Sequence, residues 1–163
     1  MKPCIIGIGQ DWAGDDAVGL AVIRELRQRN CQADLAEVGD AGQLIELLTS
    51  GADPVLIVDA LAGDGAPGQV LLIDLGRARP PHPKLLSTHG WGVLEAIELA
   101  RIAHPQSIAR RIFVLGVTIG PVSLYSSHLS PAVLAAVPRA AVRAMMLCAR
   151  APRLRVVPRR AKP

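Results

Sequence analysis

Aromatic side chains are almost missing from this sequence, with two Trp, one Tyr and one Phe among 163 residues. Half the residues are apolar, so the core must be built from Leu, Val, Ile and Ala. That composition suits a parallel sheet covered by helices, whose strands are buried on both faces and read as unbroken aliphatic runs. Cysteine is equally sparse. Cys4, Cys31 and Cys148 are far apart, odd in number and form no CxxC pair. They argue against a disulfide framework and against a thiolate metal site, and are expected to be small buried apolar residues. No apolar run approaches the length of a membrane span, and the first residues lack a signal-peptide pattern. A soluble cytoplasmic protein is expected. HExxH, a GxSxG elbow and a cysteine paired with a histidine are also absent, so serine or cysteine peptidase chemistry has no support.

Acidic residues are missing from the C-terminal end. From Arg150 onward, "RAPRLRVVPRRAKP" holds six basic residues and no acid, which turns a body of net charge −2 into a chain of net charge +4. Such a tail suits nucleic acid or anionic lipid, but it is short and has no interleaved aromatics. It is expected to be a solvated extension with no nucleic-acid or membrane partner. The expected organisation is one α/β domain over residues 1–149 and a basic tail over 150–163.

What remains alternates between strands and helices. Pro3 to Ile8 reads as a first strand, Asp15 to Arg29 as an amphipathic helix, Ala33 to Val38 as a second strand and Ala41 to Ser50 as a second helix. Pro54 to Ala60 is a continuous apolar run, as a strand buried on both faces should be. "QVLLIDL" (Gln69 to Leu75) follows a glycine- and proline-rich turn too soon for a crossover helix, so it should run antiparallel to its predecessor. Trp91 to Ala103 reads as a helix and Arg111 to Ile119 as a strand. A last helix is capped by Ser130, with Pro131 at its first position and Pro138 expected to kink or divide it. The predicted fold is a three-layer α/β/α sandwich with a mixed five-stranded sheet, one strand antiparallel.

The first turn, "GIGQDWAGDDAVG" (residues 7–19), has the shape of a phosphate cradle. A dinucleotide fingerprint would place its third glycine earlier, and Glu37 would stand as the ribose-binding acid. Asp11, Asp15 and Asp16 oppose that reading, because their charges repel a phosphate. One acid is explained by helix capping, a job for Asp15, and the adjacent Asp16 is then left for another task. Asp59 closes the run Val55 to Val58, at the carboxyl edge where open α/β sheets bind ligands. Asp16 and Asp59 should therefore face one cleft. His89 lies in "STHGWG" just before a helix, a setting that favours its neutral, metal-binding form. His82, His104 and His128 are assigned no role. Two carboxylates and an imidazole with open coordination positions suit a borderline divalent ion such as nickel or zinc.

With these motifs in place the sequence resembles the hydrogenase maturation proteases. The family's strand, G-x-G-N, short loop and D-[DE]-x-x-G stand here as Gly7, Gly9, Gln10, Asp15, Asp16 and Gly19. "VGDAGQLIELL", "VLIVDALAGDGAPGQV" and "STHGWG" match the next three blocks in order, and "VLGVTIGP" and "LSPAVLAAV" match late features. The resemblance covers about residues 3 to 149. Gln10 stands for the usual Asn and Asp40 for the usual Thr, the latter adding negative charge near the cleft.

The resemblance implies an endopeptidase that removes the C-terminal extension of a nickel-iron hydrogenase large-subunit precursor, with Asp16, Asp59 and His89 as catalytic and metal-binding residues. It implies that the nickel arrives with the precursor, and leaves open whether the free enzyme holds metal. The partner would be that precursor, met by a monomer. The competing reading is an assembly chaperone that binds the same precursor without cutting it.

Overall fold

The computed structural model describes residues 1–63, 65–75, 86–87, 92–121 and 126–150. The elements are β1 (Cys4–Ile8), a short 3-10 helix (Gly14–Ala17), α1 (Val18–Gln28), β2 (Asp34–Val38), α2 (Ala41–Leu48) and β3 (Val55–Ala62). They continue with β4 (Val70–Asp74), β5 (Leu86–Ser87), α3 (Val93–Ala103), β6 (Ile112–Ile119) and α4 (Pro131–Arg150). The main path of the sheet runs β2-β1-β3-β6-β4. β1, β2, β3 and β6 are mutually parallel, and β4 lies antiparallel on β6.

All five expected strands are present, the antiparallel one among them, but two details differ. β4 runs opposite to β3, as its short connection requires, yet pairs with β6 and not with β3. The 65–69 turn steps over β6, and Thr118 holds it there. Its hydroxyl donates to the Ala66 carbonyl (2.7 Å) and accepts from the Gln69 amide (2.9 Å), while its backbone carbonyl accepts from Gly68 (2.8 Å). The second detail is β5, two residues that lie antiparallel on the end of β3, Ser87 opposite Leu61 and Leu86 opposite Ala62.

Alternate residues of the central strands feed two cores. Ile5, Leu56, Val58, Leu115 and Val117 meet α1 and α4 on one face. Ile6, Ile57, Val55, Ile112 and Val114 meet α2 and α3 on the other. With both faces covered, β3 is buried from Val55 to Leu61, which explains an aliphatic sequence broken only by Asp59. α1 inserts Val18, Val22, Ile23 and Leu26 at its core-facing positions, each burial contributing about 1.5–3 kcal/mol. It approaches the sheet unusually closely. A Cβ on Gly19 would lie 2.3 Å from the Ile8 carbonyl oxygen and 2.5 Å from that of Val58. Only glycine fits there, and the contact draws the start of α1 onto the carboxyl ends of β1 and β3.

α4 is not divided at Pro138. It runs unbroken over twenty residues, although Pro138 cannot donate to the Leu134 carbonyl. By length and composition alone α4 is long and apolar enough to cross a membrane. Here, however, it packs on α1 and β6 and buries Val133, Ala136, Val137, Ala140, Ala141 and Ala144, as a core helix does.

Candidate active site

Two of the three expected site residues are described, and both are buried polar groups at the carboxyl edge of the parallel strands. Asp16 is 4% exposed and Asp59 1%. Asp16 sits in the 3-10 helix, which packs directly against β3. That helix exists because Gly9 and Gly14 carry the chain around the end of β1. Gly14 has φ +59°, a left-handed value that suits glycine, and a Cβ on Gly9 would lie 2.6 Å from the Asp16 carbonyl oxygen.

Asp59 does not end its strand as expected. β3 continues to Ala62 because β6 supports it residue by residue, Asp59 opposite Gly116 and Ala62 opposite Ile119. What ends at this level is the neighbour on the other side. β1 pairs with β3 only as far as Gly7 opposite Val58. Asp59 is thus the first residue of β3 past its pairing with β1, in a notch that resumes pairing at Leu61 with β5. One of its carboxylate oxygens accepts the Ala60 amide at 2.8 Å. His89 lies outside the described residues, as does His82. Among the described residues no group of three His, Cys, Asp or Glu side chains is arranged to hold a metal ion.

Asp15 does not cap the helix it begins. No side chain caps either the 3-10 helix or α1. Its carboxylate instead accepts both the backbone amide (2.6 Å) and the hydroxyl (2.8 Å) of Ser130, the residue before α4. Beside this clasp the Gly14 amide donates to the Ser126 carbonyl at 2.6 Å. The turn that carries Asp16 is therefore fastened to the entrance of α4. Nothing in the sequence signals a contact between residues 115 apart.

The two departures from the family pattern acquire structural roles. The Gln10 side-chain amide donates to the Gly39 carbonyl at 2.9 Å, tying the first turn to the loop after β2. Asp40 is the N-cap of α2 and accepts the Gln43 amide at 3.0 Å, while the Gln43 side chain accepts the Gly39 amide at 3.1 Å. Its charge serves the helix end and faces solvent. The remaining acids of the dinucleotide reading are also taken. Arg24 grips Asp11 with two bonds of 2.7 and 2.9 Å, which lowers the Asp11 pKa, and Arg24 and Arg27 both pair with Glu37. A ribose hydroxyl would have to displace an ion-pair network to reach Glu37. Trp12 stands 56% exposed on the same turn.

A chain with this sheet, this first turn and these two acids can be compared with known proteins. The family model for hydrogenase maturation protease matches residues 20–146. The chain belongs to the hydrogenase maturation protease family. The hydrogenase 2 maturation protease of Escherichia coli K12 is 27% identical over 105 residues, a stretch covering 62% of this chain and 64% of that protein. The matched stretch thus spans just under two thirds of the relative's length. The fold agrees over a longer range. The [NiFe] hydrogenase maturation protease HybD from Thermococcus kodakarensis superposes with a TM-score of 0.75 at 22% identity, covering 91% of this chain and 99% of that one. The Escherichia coli endopeptidase HybD gives 0.68 at 18% identity, with 92% of each chain covered. The maturation-protease fold is therefore that of this chain, with its first turn and the notch at Asp59 on one edge of the sheet.

Proposed function

We propose that this protein is the endopeptidase that removes the C-terminal extension of a nickel-iron hydrogenase large-subunit precursor after nickel insertion, working as a cytoplasmic monomer. Membership of the protease family supports the reaction class. The observation that carries the reading further is the placement of two buried carboxylates, Asp16 and Asp59, at the one edge where β1 stops and β3 continues. Carboxylate oxygens at such an edge are anionic donors suited to a divalent ion, here one brought by the substrate.

In this reading nickel is part of the substrate. Asp16 and Asp59 offer anionic oxygens to positions that the precursor's own ligands leave open, and His89 adds a nitrogen. His89 is included on the family resemblance of "STHGWG", since it lies outside the described residues. The bound ion polarises the scissile carbonyl or activates the attacking water. The chain's part is to hold the two carboxylates at the notch and to place the precursor's backbone against them. The reading is tested by intact mass after incubation with a nickel-loaded precursor. A protease shortens the precursor by one defined C-terminal peptide, and a binding chaperone leaves its mass unchanged.

A further inference from the structure

Trp12 is 56% exposed in a chain that has only four aromatic residues. Its exposure does not come from a loose loop. On its N-terminal side the Gln10 side-chain amide donates to the Gly39 carbonyl at 2.9 Å, and Asp11 accepts two bonds from Arg24, at 2.7 and 2.9 Å. On its C-terminal side Ala13 is buried, donates its amide to the Gln10 carbonyl at 3.0 Å and pairs with Ser126 in a parallel bridge. The Gly14 amide then donates to the Ser126 carbonyl at 2.6 Å. The four residues around Trp12 are each tied to another part of the fold, and the indole is held in solvent between them. An isolated exposed apolar residue is ordinary on a protein surface. Trp12 differs in that its backbone is fixed on both sides and the buried Asp16 lies four residues further along the same turn.

We propose that Trp12 anchors the substrate, its indole receiving an apolar side chain of the precursor close to the scissile bond. The inference rests on the protease reading of the same site and adds a specificity contact to it. Four residues span at most about 14 Å of chain. An extended precursor segment with its scissile bond at Asp16 therefore reaches Trp12 within about five residues. Tryptophan is enriched among the few side chains that dominate polypeptide recognition, because one ring system buries about 150–250 Å² while ordering only two torsions. A turn already fixed by its own bonds loses little further freedom when the ring is covered. Charge selects an apolar partner over a cationic one. Asp11, next to the ring in the chain, is held by Arg24, and Arg24 and Arg27 both pair with Glu37. Two cations answer two acids, so the rim beside the indole has no net charge with which to draw a cation onto it. A second copy of this chain seated on Trp12 would crowd the edge at which Asp16 and Asp59 lie, and would oppose the reaction.

The test compares the wild type, Trp12→Ala and Trp12→Phe in binding and cleaving the nickel-loaded large-subunit precursor. Trp12→Ala should bind about tenfold or more weakly, with the loss falling on KM and not on kcat, and Trp12→Phe should recover most of it. The side chain is exposed, so both variants should melt with the wild type, which separates lost binding from lost folding. Alanine replacement of each apolar precursor residue within five positions of the scissile bond completes a double-mutant cycle. One replacement should weaken binding to the wild type and leave binding to Trp12→Ala unchanged, which identifies the side chain that the indole receives. The inference alone is overturned if Trp12→Ala binds and cuts as the wild type does, if its loss falls on kcat, or if no apolar precursor position couples to Trp12. It is equally overturned if the wild type is a dimer that Trp12→Ala dissolves without changing affinity for the precursor. A wild type that binds the precursor without cutting it overturns the protease reading, and the affinity of Trp12→Ala still decides the role of Trp12. A wild type that does neither overturns both.

Discussion

Asp15 holds Ser130 by both of its donors, the backbone amide at 2.6 Å and the hydroxyl at 2.8 Å. The clasp joins the first turn of the chain to the entrance of its last helix, and its neighbour in sequence is the buried Asp16. Replacing Asp15 by Ala leaves the Ser130 amide without its acceptor. Stability should fall by about 1–2 kcal/mol, read from the denaturant midpoint. Asp15→Asn keeps one acceptor oxygen and should lose less.

Gly19 is a packing requirement of the same edge. A Cβ there would press on two carbonyl oxygens of the sheet, at 2.3 and 2.5 Å, and backbone cannot yield as a side chain can. Gly19→Ala should cost about 3 kcal/mol or more, or yield no folded protein, as judged by thermal melting of the purified variant.

At the opposite end of the sheet Asp53 accepts from Arg111 twice, from the backbone amide at 2.9 Å and from the guanidinium Nε at 3.1 Å. Asp53 is buried, and Arg111→Ala removes the guanidinium but keeps the backbone amide, so it should cost about 1–3 kcal/mol. Below the melting transition the folded variant should still cleave at the wild-type rate, because this pair lies away from the carboxyl edge. Denaturant titration and a cleavage assay at low temperature check both halves.

Burial raises the Cys4 thiol to about 11, aided by the Asp34 carboxylate, and raises Cys148 to about 12. The native state therefore keeps two protons that an unfolded chain, with thiols near 9.0, releases. Stability should be insensitive to these thiols below pH 9 and should fall as pH climbs from there toward 11. Neither thiol should react with iodoacetamide at pH 8 in the native protein, and both should react once it is unfolded, as peptide mass mapping would show.

The sequence made the layers legible because strands buried on both faces cannot hide their composition. "VLIVDALA" and "IFVLGVTI" are apolar on both faces apart from Asp59 and Thr118, and the direction of β4 followed from the shortness of its connection. Its position beyond β6 did not follow. That depends on Thr118 seizing the 65–69 turn, a contact across about fifty residues. The site shows the same division. That Asp16 and Asp59 lie at one carboxyl edge was legible from their places in turn and strand. The role of Asp15 was misassigned, because local rules offer a capping acid to the nearest helix, and tertiary structure gave it to α4 instead. Asp59 was misplaced as a strand end because support from β6 cannot be read from β3 alone.

The central claim is that Asp16 and Asp59 act on a nickel ion brought by the substrate. The most direct measurement is the intact mass of nickel-loaded and nickel-free hydrogenase precursor after incubation with the wild type and with Asp16→Asn and Asp59→Asn. Both substitutions keep the side-chain shape, and thermal melting of each variant shows that it folds before its activity is read. The account predicts loss of one C-terminal peptide from the nickel-loaded precursor with the wild type, and an unchanged mass in every other combination. Trimming of the nickel-free precursor, or normal trimming by the two folded variants, would contradict it.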